Sequence, residues 1–68
     1  MEFRIETVQE ADGRWIAEIQ ALPGVLAYGE SKGRAISRAT ALALQVIADQ
    51  IEHGEIDVAP DRVVFLAA

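Results

Sequence analysis

Few residues in this 68-residue chain are of types that carry covalent chemistry. It has no cysteine, which removes thiolate nucleophiles and cysteine zinc sites, and Ser31 and Ser37 have no nearby histidine in sequence to activate them. His53 stands between Glu52 and Glu55, a grouping with the right atoms to move a proton or hold a metal. Further ligands for a metal are scarce, and a histidine in the last turn of a helix is expected to meet the free carbonyls and the negative end of the dipole instead. Glu2 and Glu6 flank Arg4, and Glu18 follows later. Charges that alternate with apolar residues mark the solvated face of a strand. The glycines form neither a phosphate-binding loop nor a dinucleotide fingerprint. No catalytic residue, metal ligand or cofactor is assigned.

The elements that position these residues follow from periodicity. Phe3, Ile5 and Thr7 alternate with Glu2, Arg4 and Glu6, and Trp15, Ala17 and Ile19 alternate with Arg14, Glu18 and Gln20, which predicts two strands with one buried face each. Asp12-Gly13 between them supplies a hairpin turn. A three-residue loop (Ala11 to Gly13) would set Glu6 opposite Glu18, and a five-residue loop would set Arg4 opposite Glu18. Like charges facing across a sheet are destabilising, which favours the longer loop. Leu22-Pro23-Gly24 breaks the ladder, because proline lacks an N–H and glycine permits a sharp change of direction. A third strand is expected over Val25 to Gly29.

Ser31 is the expected N-cap of a helix running from about Lys32 to His53 and stopping at Gly54. At 100° per residue, Ile36, Ala39, Leu42, Ala43, Val46 and Ile47 share one face, with Leu44 and Ile51 along its flank. That arc is wider than the ~100° stripe needed to cover one sheet. About 22 helical residues span roughly 33 Å, whereas a strand of five or six residues covers about 17 to 20 Å, so the helix must overhang. After a connection over Glu55 to Pro60, Arg62 to Ala67 is nearly all apolar. This predicts a final strand covered on both faces or paired with another subunit. The fold class expected is α+β: an antiparallel sheet with one long helix packed on one face, in the order β-β-β-α-β, all in one domain over residues 1–68.

A chain this short buries only about 60% of its unfolded surface, and disulfides are excluded as staples, so self-association is expected. The surplus apolar residues assigned to an oligomer interface are Leu44, Ile51, Val64 and Leu66. The net charge of −5 disfavours direct nucleic-acid binding and suits a basic protein partner. No apolar run is long enough to span a bilayer and no signal-peptide profile opens the chain, so a cytoplasmic protein without membrane association is expected.

The succession Glu10-Ala11-Asp12-Gly13-Arg14-Trp15, Leu22-Pro23-Gly24 and Gly29-Glu30-Ser31 before an alanine-containing helix resembles the N-terminal domain of the HicB-like antitoxin family. That family's usual pattern is acidic-Asp-Gly-aromatic, Leu-Pro-Gly, then Gly-Asp-Thr, and the resemblance covers roughly residues 2 to 50. Two departures stand out: Gly33-Arg34 replaces the usual Glu-Glu, and Gln20-Ala21 replaces proline followed by an acidic residue. The resemblance implies a truncated ribonuclease H-like fold and an antitoxin-like role, occluding a small basic ribonuclease toxin. Glu2, Glu6 and Glu18 would then steer the toxin, with Leu22, Pro23 and Tyr28 in contact with it. The C-terminal DNA-binding domain of two-domain members is not expected here. The alternative is an orphan oligomeric protein-interaction module without a toxin. The fold also raises metal-dependent phosphodiester cleavage, but that needs several converging carboxylates, and no aspartate occupies the centre of either first strand. Lys32, Arg34 and Arg38 oppose the helix dipole; pairing with Glu30 or with an acidic surface of another subunit is one account of them, and a solvated basic patch of no consequence is the other.

Overall fold

A computed structural model describes residues 1–56 and 62–67. The elements are β1 (Glu2–Gln9), β2 (Trp15–Glu18), β3 (Leu26–Gly29), α1 (Lys32–Glu52) and β4 (Val64–Ala67). Together they form an α+β fold, a four-stranded sheet in the order β3-β2-β1-β4 with one helix packed against it. Of the expected connection over Glu55 to Pro60, residues 57–60 lie outside the described residues.

The sheet is mixed rather than wholly antiparallel. β1 and β2 pair antiparallel, as do β2 and β3, but β4 lies parallel to β1, with Phe3 beside Phe65 and Ile5 beside Ala67. The reason is topological. Two successive hairpin reversals leave β3 running the same way as β1, and one long helix returns the chain across the sheet to start β4 in that direction again. The final strand is therefore an edge strand. Val64 and Phe65 are half-buried while Leu66 and Ala67 are exposed, so it is not covered on both faces.

The first hairpin adopts the shorter loop, correcting the register favoured from charge alone. Glu6 faces Glu18 and Gln9 faces Trp15. The turn explains why. The Gly13 N–H donates to Glu10 O at 3.0 Å, the Glu10 N–H to Arg14 O at 2.7 Å, and Gly13 sits at φ +92°, where glycine carries no steric penalty. The Asp12 carboxylate accepts from the Arg14 N–H at 3.0 Å and from its Nε at 2.8 Å. Several local bonds of about 1 kcal/mol each outweigh a like-charge pair worth a few tenths between the exposed Glu6 and the half-buried Glu18.

The Leu-Pro-Gly corner is two consecutive tight turns: Leu22 N–H donates to Ile19 O and Val25 N–H to Leu22 O, both at 3.1 Å, with Gly24 at φ +81°. Proline followed by a positive-φ glycine is the composition of a type II turn. Ile19 N–H then reaches Val25 O at 3.1 Å and resumes the ladder.

Ser31 caps α1 as expected, its hydroxyl accepting from the Arg34 N–H at 3.1 Å. At the other end Gly54 N–H bonds to Ile51 O and Glu55 N–H to Gln50 O, with Gly54 at φ +69°, which together make a Schellman motif. The core comprises Phe3, Ile5, Ala17, Ile19, Leu22, Val25, Ala35, Ala39, Ala43 and Ile47. Of the helix face expected to be apolar, Ala39, Ala43 and Ile47 enter the core, and Ile36, Leu42 and Val46 are partly buried against it. Ala35 takes the inner position because the helix starts hard against β3. A Cβ on Gly29 would lie 2.9 Å from Ala35 Cα and closer still to its backbone nitrogen, so only glycine admits that approach.

Candidate functional site

Because strand side chains alternate, the face of the sheet opposite α1 collects the even-numbered residues of the first three strands. The registers place Glu2 beside Val64 and Arg4 beside Leu66 on one side, Glu6 beside Glu18 and Glu18 beside Leu26 in the middle. Val8, Ile16 and Tyr28 form a row across β1, β2 and β3. Val8 is 62% exposed, and Leu26, Tyr28 and Leu66 are also open to solvent. The outer face thus combines three carboxylates, Arg4, an apolar row and, over the Tyr28 ring, the guanidinium of Arg14.

Three charged groups on or beside this face, Glu6, Asp12 and Arg14, have defined neighbours. Gln20 Nε2 donates to Glu6 Oε2 at 3.3 Å. Arg14, held by Asp12, lies with its guanidinium carbon 5.0 Å from the centre of the Tyr28 ring, a cation–π arrangement that fixes the ring's edge of the face. The hydrogen bond from the Arg14 N–H, then that from its side chain, holds the Asp12 carboxyl below its ordinary value of 3.8.

The residues assigned from sequence divide on this surface. Glu2, Glu6, Glu18 and Tyr28 share the outer face, and Pro23 is exposed at the corner. Leu22 is not available for contact: it is buried at 5% exposure and plugs the end of the core beneath the turn. Its neighbours in the turn point outward because a type II turn leaves proline and glycine at its tip, while the first residue remains tied to the sheet. Val8, Ile16 and Leu26 were not singled out, although their even parity, opposite to the core residues, is the signal that places them there.

Elsewhere His53 Nδ1 lies 2.8 Å from Asp49 O and 3.4 Å from the Asp49 carboxylate, at the helix end as expected. Arg38 does not pair with Glu30; its Nη1 donates to Tyr28 O at 3.2 Å on the exposed edge of β3. Among the described residues no three His, Asp or Glu side chains are grouped to hold a metal ion, and the described surface has no pocket. No helix among them is long and apolar enough to cross a membrane. Comparison with protein-family models, curated proteins and solved structures finds no match.

Proposed function

We propose that this chain is an antitoxin-like binding protein that neutralises a small basic ribonuclease by covering its catalytic surface with the outer face of the sheet. The observation that carries the reading is the cross-strand pair Glu6 and Glu18. Two carboxylates directly opposite one another cost stability in the isolated chain, and a cation seated between them would turn that cost into attraction. Around the pair, Val8, Ile16, Leu26 and Tyr28 offer apolar contact area and Glu2 extends the acidic surface. This is the charged and apolar mixture suited to a cationic protein, with the charges setting encounter rate and specificity. The motif resemblance supplies the class of partner, and the acidic balance of the chain agrees with it.

The test is co-expression with the product of an adjacent reading frame encoding a short basic protein. The expected outcome is growth protection and a stable complex, both lost in Glu6→Arg/Glu18→Arg. No protection and no complex would overturn the antitoxin reading and leave the orphan interaction module in its place. Cleavage of RNA by the purified chain with magnesium or manganese, abolished in a Glu2, Glu6 and Glu18 triple variant, would replace both with a nuclease.

A further inference from the structure

Among the described residues, one face of α1 has no packing partner. Ser37, Ala41, Leu44, Ala48 and Ile51 recur at alternating spacings of four and three and are all exposed, Leu44 at 50% and Ile51 at 45%. Such spacing aligns them along one line of a helix, over a length of about 21 Å. No charged residue interrupts the line. The charges lie along one flank of it, Arg34 and Arg38 towards the N-terminus and Asp49 and Glu52 towards the C-terminus, with the neutral Gln45 between them.

That arrangement is the wrong way round for the helix itself. Its first turn carries no acidic residue and its last turn no basic one, whereas the macrodipole favours anions at the N-terminus and cations at the C-terminus. Arg34 and Arg38 are moreover a like-charge pair one turn apart. Among the described residues neither arginine nor Glu52 makes an ion pair; Arg38 donates through Nη1 to Tyr28 O, and Asp49 sits 3.4 Å from His53. The same flank becomes favourable beside an antiparallel copy of itself. In an antiparallel helix pair like flanks face each other. A two-fold axis near Leu44 and Gln45 then sets Ser37 against Ile51, Ala41 against Ala48, Arg34 against Glu52 and Arg38 against Asp49 of the second helix. The two macrodipoles also oppose one another, which is the attractive arrangement.

We infer that this face is covered by α1 of a second copy of the chain, forming an antiparallel homodimer with Leu44 at its centre. The small residues Ala41 and Ala48 let the helices approach closely, and Leu44 and Ile51 fill the space between them. The interface is isologous, so it closes at two chains. It leaves the outer sheet face free, and its test is independent of any toxin.

Sedimentation equilibrium at about 100 µM chain is expected to give a dimer. Arg34→Glu/Arg38→Glu makes the flank wholly acidic and Asp49→Arg/Glu52→Arg makes it wholly basic; each double variant is expected to self-associate at least about tenfold more weakly. An equimolar mixture of the two is expected to recover the dimer as a heterodimer. Circular dichroism of each variant reports whether the helix persists. The orientation is read separately: the chain has no cysteine, so Ser37→Cys and Ile51→Cys chains mixed under oxidation are expected to link to one another in preference to themselves. A monomeric natural chain overturns the inference. So does a dimer indifferent to both charge variants, the result expected if β4 or the outer sheet face carried association, and so does preferential linking of Ser37→Cys to itself.

Discussion

The two opposite faces of α1 are built from nearly the same residues and meet different fates. The inner face presents Ala35, Ala39, Ala43 and Ile47, all buried against the sheet, and the outer one presents Ser37, Ala41, Leu44, Ala48 and Ile51, all exposed. Alanine and large aliphatic residues occur on both. Hydrophobicity alone therefore does not say which face meets the sheet. The chain settles it by where the helix begins: Ser31 caps the N-terminus immediately after β3, and Gly29 lets the backbone of Ala35 close on that strand. The inner line is selected by a point of close approach, and the outer line is what that choice leaves over.

The sharpest way to break this comparison is a matched pair of truncations. Ile47 is 4% exposed and packs in the core, so Ile47→Ala should cost about 3 kcal/mol through lost burial and a residual cavity. Leu44→Ala, measured in dilute chain, should change stability by less than about 0.5 kcal/mol, while weakening self-association. Urea unfolding of both variants checks the contrast. Equal losses would mean that the outer line is buried within the monomer.

Gly29→Ala tests the point of close approach itself. The added methyl would meet backbone, not a movable side chain, so helix and strand must part, at a cost of about 2 to 3 kcal/mol. Gly13 has open space around it, and its substitution should cost less, through its positive φ alone. Ser31→Ala, which removes the hydroxyl that accepts from Arg34 N–H, should cost about 1 kcal/mol. Thermal unfolding of the three variants should rank them in that order.

Much of this architecture was legible in the residues, for reasons that particular elements show. Strand parity in Phe3, Ile5, Ala17 and Ile19, the Pro23-Gly24 turn, the Ser31 cap and the Gly54 stop are each fixed by local chemistry, and each is found where expected. What could not be read depended on distant partners or on small differences. The parallel placement of β4 follows from the path of the whole chain, which no property of Val64 to Ala67 encodes. The hairpin register turned on a charge term of a few tenths of a kcal/mol, and the bonds of the Ala11 to Gly13 turn exceeded it. On the candidate face alternation places the carboxylates outward, whereas Leu22, which the resemblance puts in contact with a partner, is buried, because only Pro23 and Gly24 form the tip of the corner.

The outer sheet face offers a smaller version of the same contrast between what is packed and what is left open. Among the described residues neither Glu6 nor Glu18 makes an ion pair, so Glu18→Lys should stabilise the free chain by about 0.5 kcal/mol by converting repulsion to attraction across the strands. The same change should weaken capture of a cationic protein. Urea unfolding and a binding measurement on one variant would then move in opposite directions. A destabilised Glu18→Lys chain would mean that Glu18 already has a compensating contact in the monomer.

The smallest effect expected lies at the hairpin tip, where Asp12 and Arg14 are exposed and solvent screens their contacts. Asp12 accepts from the Arg14 N–H and from its guanidinium, and both favour the charged carboxylate, so its pKa falls below the ordinary 3.8. A carboxyl depressed in the folded chain contributes stability above that ordinary value and loses the contribution as pH falls through its folded pKa. The acid limb of a pH–stability profile should therefore flatten slightly in Asp12→Asn. Arg14→Gln removes the guanidinium but keeps the backbone donor, so Asp12 should titrate closer to its ordinary value without reaching it. A carboxylate NMR titration reads this directly. An unmoved midpoint in Arg14→Gln would mean that the backbone bond alone sets the shift, and that Arg14 is held by the Tyr28 ring, not by Asp12.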